Sequence, residues 1–116
     1  MTDSAEQPVV RATRMDQRLD AAKSISRVVV REIRMLPRVS AGLHVHNGPV
    51  FGNVVEGSVI FQIEGEPERL LTAGAVFYEP EGTRIARFDA LDDGAVFFGH
   101  FLLADGQEDT LTRLTD

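Results

Sequence analysis

The sequence predicts an all-β domain, a sandwich or a barrel, on three observations. Segments of strand length recur between turn signals from residue 26 to residue 103. No ten-residue stretch between them carries a helical period, and such spacing is the mark of β architecture. The chain has 116 residues, enough for one domain that buries roughly two-thirds of its unfolded surface without a metal or disulfide staple.

The elements follow in order. Residues 1–10 read as a frayed tail, and residues 9–23 carry only a weak pattern, either a short helical face with Met15, Leu19, Ala21 and Ala22 or a loop or edge strand. Ser26 to Met35 contains Val28, Val29, Val30 and Ile33, a β-branched run that predicts a strand, and Pro37 ends it. Further strands are predicted at 42–46, 50–56, 58–63, 69–71, 76–79, 84–88 and 95–103. They are punctuated by Asn47-Gly48-Pro49, Glu56-Gly57, Glu64-Gly65-Glu66-Pro67, Ala73-Gly74, Pro80-Glu81-Gly82 and Asp92-Asp93-Gly94. The glycines fit hairpins and bulges better than ligand cradles. Residues 1–24 are expected to form an extension and 25–116 the barrel domain.

Composition removes several function classes. No cysteine is present, so thiol nucleophiles, zinc–thiolate sites and disulfides are absent, which fits a reducing, cytoplasmic setting. No apolar run approaches the ~20 residues of a membrane helix, and Met1 to Pro8 is unlike a secretion signal. Twelve basic against eighteen acidic residues give a net charge of −6, which argues against nucleic acid as a partner. The charge is uneven. Residues 1–40 carry eight basic and five acidic side chains, net +3, whereas residues 41–116 carry four and thirteen, net −9. Such a basic segment is either solvated or laid across an acidic surface, its own or a second copy's. With the strong β-propensity of residues 26–35 and the exposed edge such a strand leaves, this predicts a homodimer with residues 9–36 at its interface. The competing expectation is a monomer whose N-terminal segment packs on its own barrel.

Chemistry centres on the three histidines. His44 and His46 stand two apart in a predicted strand, so both imidazoles project from one face, where they can occupy adjacent positions around one divalent ion. Two histidines at a polar pocket rim would give the same spacing. His100 is a candidate third metal ligand, or a packed or hydrogen-bonded histidine. Gln62 and Tyr78 are candidates to line the cavity. Glu79 is an alternative to its neighbour Tyr78, because only one of the two can point inward from a regular strand. No nucleophile elbow, phosphate loop or dinucleotide turn is present.

The run Gly42-Leu43-His44-Val45-His46 through Gly57 resembles the first motif of the cupin superfamily, G-x5-H-x-H-x3-4-E-x6-G, and Gly74 through Ile85 resembles the second, G-x5-P-x-G-x2-H-x3-N. The resemblance covers about residues 27–104 and implies a double-stranded β-helix (jelly-roll) barrel with a short N-terminal extension. His44 and His46 fall on two ligand positions, and Gly57, Gly74, Pro80 and Gly82 on the turn framework. The glutamate position is Val50, or Phe51 with the longer spacing, the third histidine position is Ile85, the opening glycine position is Arg38 and the terminal asparagine position is Asp89. Val50 and Ile85 therefore stand in the cavity where ligands are expected, and neither can bind an ion. The resemblance thus implies a cupin that binds a small molecule, with a reduced or absent metal site and His44 or His46 as acid or base. Two alternatives stand beside it. One is a metal-dependent enzyme of dioxygenase or isomerase type, holding Zn, Fe, Mn or Ni through a substitute ligand. The other is a sensor or accessory protein without catalysis.

Overall fold

The computed structural model describes residues 7–115, so the expected frayed tail lies outside the described residues as far as residue 6. Seven strands follow: β1 Arg27–Met35, β2 His44–His46, β3 Val50–Ile63, β4 Arg69–Thr72, β5 Val76–Glu79, β6 Ile85–Leu103 and β7 Leu111–Arg113. All pairings are antiparallel. The sheet runs β4-β3-β6-β2-β7, with β1 also on β6 and β5 also on β3. No described residue is helical, and no helix long and apolar enough to cross a membrane occurs among them.

Two expected turns prove to be bends inside longer strands. Glu56-Gly57 lies within β3 and Asp92-Asp93-Gly94 within β6, and the two strands pair from Val50↔Phe101 to Ile63↔Ile85. A regular strand rises about 3.3 Å per residue, so Phe88 and Phe97 would stand roughly 30 Å apart in an extended β6. Their ring centroids are 4.8 Å apart. β6 therefore doubles over, and β3 doubles with it through register shifts at Val54/Glu56 and Gly57/Val59. Gly57 (φ +76°) and Gly94 (φ +69°) make the corner possible. A Cβ on Gly57 would lie 2.0 Å from the Gly94 carbonyl oxygen. Only two chains without side chains there can pass so closely, in a backbone region that L-residues avoid.

Folding over brings the inward faces of both halves into one core. Val54, Val59 and Phe61 of β3 meet Leu71 of β4, Phe77 of β5, and Ile85, Phe88, Ala90, Ala95 and Phe97 of β6. Phe77 is central, with ring centroids 5.1 Å from Phe88, 5.9 Å from Phe61 and 6.0 Å from Phe97. Each such ring contributes about 1.5–3 kcal/mol through burial. β7 was not anticipated, because Leu111-Thr112-Arg113 is too short to carry an alternation signal. It pairs with β2 and covers its outer edge.

Residues 7–26 form no regular element and run as a strap. Arg14 donates to the Gly74 carbonyl at 3.4 Å, Leu19 to Lys23 share a groove with Pro49, Tyr78 and Pro80, and Lys23 pairs with Glu81 at 3.0 Å. Arg27–Glu108, Arg31–Asp109 and Arg38–Asp92 are further ion pairs between the basic segment and the acidic body of the same chain.

The corner makes a stability prediction. Gly65, also at positive φ but with open space around it, isolates the conformational cost of an added Cβ. Gly65→Ala should cost about 1 kcal/mol, and Gly57→Ala about 2 kcal/mol or more, because collision adds to strain. Urea denaturation of the two variants measures the difference, and equal costs would show that the corner relaxes freely.

Candidate metal centre

β2 is three residues long, and its alternation places His44 and His46 on one face with Val45 on the other. Both histidines are buried, at 2% and 8% exposure. β2 lies between β7 and the start of β6, with His44 opposite Ile85 on one side and Arg113 on the other. β5 supplies the third group. Phe77 and Glu79 face inward while Tyr78 faces away, stacked on Phe51 at 4.7 Å. The loop after β5 turns back, and the Gly82 N–H donates to the His46 carbonyl at 2.9 Å, tying the end of β5 to β2.

The result is a compact donor set. Glu79 Oε1 lies 2.6 Å from His46 Nε2 and 3.7 Å from His44 Nε2. One ligand atom from each residue can be chosen so that all lie within 4.8 Å of one another. His44 Nδ1 donates to the Gly42 carbonyl at 2.7 Å, which fixes the ring and, in the neutral imidazole, leaves the Nε2 lone pair aimed at the carboxylate. Histidines that bind metals are held in this way by their second nitrogen. Two acceptors, the imidazole lone pair and the carboxylate oxygen, face each other only with a cation between them. A proton or a metal ion fills that requirement.

The electrostatics follow from the same geometry. Burial by itself pulls the His44 pKa down, but hydrogen bonds to Glu79 and Gly42 and the carboxylate's charge together raise it above the ordinary value. Burial likewise pushes Glu79 up, yet the two imidazoles outweigh it and hold its carboxyl below the usual carboxylate range. Glu79 is only 4% exposed. The group opens onto a cavity of about 390 Å³ whose wall is mostly apolar, with Ile33, Met35, Phe88, Phe97, Phe101 and Leu111, and whose charged lining includes Arg31, Asp109 and Arg113.

His44 and His46 come together in this cavity, and Val50 lines it. Ile85, expected in the cavity, is instead fully buried in the core across from His44 and does not line it, because it packs with Phe61, Phe77 and Phe88 in the core cluster. Three more expected residues lie elsewhere. His100 sits between the inward Gly99 and Phe101, so it faces outward, with Nδ1 3.0 Å from the Phe51 carbonyl oxygen. Both faces of that strand are apolar in the sequence, so alternation gave no preference for either. Gln62 is on the outer face because Val59, Phe61 and Ile63 form the more apolar one, and its amide donates to the Glu66 carbonyl. Tyr78 yields the inward position to Glu79. Glu79 replaces the missing carboxylate from an adjacent strand, since it pairs directly with Val50. Its signal in the sequence was its alternation with Phe77, whose phase the four residues of β5 leave undetermined. Asp89 is engaged by Ser40 and Arg87. Arg38, at the opening glycine position, takes the left-handed conformation a glycine favours, φ 63°.

No protein-family profile matches the chain, and no curated protein matches it. Solved structures do. The DMSP lyase DddQ from Ruegeria pomeroyi superposes with a TM-score of 0.64 at 17% identity, over 72% of this chain and 42% of that one. A cupin-like protein from Thermotoga maritima gives 0.62 at 20%, over 74% and 65%. An RmlC-like cupin from Shewanella frigidimarina gives 0.60 at 22%, over 68% of each. The chain thus spans less than half the length of the lyase. Its fold is the cupin double-stranded β-helix.

The paired groups make the metal-free protein sensitive to pH. A raised His44 pKa contributes stability that is full below 6.5, the ordinary value, and is lost as pH rises through the folded value. A lowered Glu79 pKa contributes stability that is present above 4.5 and is lost as pH falls through the folded value. The two contributions coexist between these limits. Chelator-treated protein should therefore lose urea resistance as pH rises above the ordinary histidine value of 6.5, and Glu79→Gln should flatten that slope. A slope unchanged by Glu79→Gln would dismiss the pairing.

Proposed function

We propose that this chain is a metal-dependent cupin that holds one divalent ion on His44, His46 and Glu79 and acts on a small organic molecule in the barrel cavity. The observation that carries the reading is Glu79, which supplies a third donor where the motif leaves two. Two imidazoles and a carboxylate suit Zn or non-haem Fe, and the same set accepts Mn or Ni. Three protein ligands leave coordination positions open, and an ion bound there supplies Lewis acidity toward an oxygen of the bound molecule. The chain's own residues do the rest. Gly42 fixes the His44 ring, His46 and Glu79 share the buried charge, and Phe97 and Phe101 exclude water from the wall. The lyase that shares this fold supports catalysis on such a barrel but carries no substrate to this chain.

Chelator-treated protein titrated with Zn, Fe(II), Mn and Ni should bind one equivalent of at least one of them. Glu79→Ala should weaken that binding by at least roughly tenfold to a hundredfold, since loss of a supporting hydrogen bond alone costs that much at metal sites. Failure to bind any of the four ions, or binding indifferent to Glu79, would reject the metal reading.

Assembly as a homodimer is part of the same proposal. Its support is the outer edge of β1, which among the described residues pairs only with β6, and the exposure of Val28 and Val30 at 53% and 55%. Light scattering at micromolar concentration should give twice the chain mass, and Val28→Glu with Val30→Glu should give a folded monomer. A wild-type monomer would end this part of the proposal.

A further inference from the structure

Arg113 is the one cation at the cavity without a counter-ion among the described residues. Arg31, the other basic residue of the lining, pairs with Asp109 and lies over the Phe101 ring at 5.1 Å. Arg113 stands directly opposite His44 in the β2–β7 pairing, so the two side chains leave the sheet on the same side, about 5 Å apart at their Cβ atoms. His44 is buried and Arg113 is exposed, which places the guanidinium on the solvent side of the donor set.

The charges at the cavity have a definite sum. Arg31 and Asp109 cancel. Arg113 adds a positive charge that no described carboxylate pairs. A divalent ion on the donor set would add +2 against the single carboxylate of Glu79, so that −1 + 2 + 1 gives +2. The unpaired guanidinium favours an anion with or without the ion, and the wall around it is mostly apolar.

We propose that the molecule bound in this cavity is a small carboxylate with an apolar body, whose carboxylate is taken by Arg113 at the mouth while the body lies against Phe97, Phe101 and Leu111. A planar guanidinium matches a carboxylate with two parallel hydrogen bonds. A single unpaired arginine, in a cavity that also holds the carboxylates of Asp109 and Glu79, suits one negative charge and disfavours the denser charge of a phosphate ester. The proposal rests on the cavity of the preceding section being the ligand site, and it assigns that site a substrate class and Arg113 the role of specificity residue.

Calorimetric titration of the full chain with three matched pairs of probes tests it. The pairs are butyrate and butyramide, hexanoate and hexanamide, and phenylacetate and phenylacetamide, each used on chelator-treated and on zinc-titrated protein. At least one carboxylate should bind roughly tenfold more tightly than its amide in both preparations, the worth of a charge-assisted hydrogen bond. Arg113→Gln should reduce that preference to within about threefold, and Arg113→Lys should retain part of it. Arg113 is exposed and outside the core, so circular dichroism and the urea midpoint should stay at wild-type values in both variants. A preference that survives Arg113→Gln, a preference present only with zinc, or no binding of any carboxylate would each overturn the proposal. Zinc binding through Glu79 without a carboxylate preference would sink this inference alone. An Arg113-dependent preference in a protein that binds none of the four ions would sink the metal reading alone.

Discussion

At the corner of the barrel, the β3 and β6 backbones pass so closely at Gly57 and Gly94 that no side chain fits between them. That crossing lets one 19-residue strand serve two faces of a closed structure. Phe88 precedes the bend and Phe97 follows it, yet their rings touch, and both also line the cavity. The aromatic core and the wall of the binding site are thus two sides of the same folded strand. A straight β6 would carry Phe97 away from Phe77 and leave β2 without a barrel to enter. The bulges in the β3 register absorb the length difference that a bend imposes on two paired strands.

Inside that barrel the controlling quantity is charge. A buried carboxylate in an apolar wall costs several kcal/mol unless a cation faces it. Glu79 meets the requirement through His46 and His44, and His44 is already committed at Nδ1 to Gly42. The three side chains therefore form one electrostatic unit, which a proton or a metal ion can complete. Val50 and Ile85, apolar and tightly packed beside the donors, restrict water and so strengthen every interaction in the group. The carboxylate stands one strand sideways from its expected position, and the donor set reaches three.

The N-terminal third of the chain shows how charge asymmetry can be resolved locally. Lys23, Arg27, Arg31 and Arg38 each find an acidic partner in the body of the same chain. The asymmetry of +3 against −9 therefore does not by itself call for a second copy. Exposed pairs of this kind contribute little stability. Their consequence is positional. Arg31 holds Asp109 near the cavity mouth, and the segment containing Asp109 leads into β7, which carries Arg113.

The sequence by itself determined the architecture and the two histidines. Strand-length segments between turn signals define a β barrel, and a two-residue spacing in a strand puts His44 and His46 on one face, because both are properties of neighbouring residues along the chain. Tertiary structure decided what depends on residues far apart. Whether Tyr78 or Glu79 points inward is a phase that β5 acquires from Val50 and Phe51 of β3, and whether His100 faces the cavity depends on which of two apolar faces β6 turns toward the core. Glu56-Gly57 and Asp92-Asp93-Gly94 read as turns in isolation. They became bends because each strand found a partner that stayed paired with it through the corner. Arg113 carries no signal in the sequence, since a single arginine in a short segment has no periodicity. Its place opposite His44 exists only in the pairing of β7 with β2.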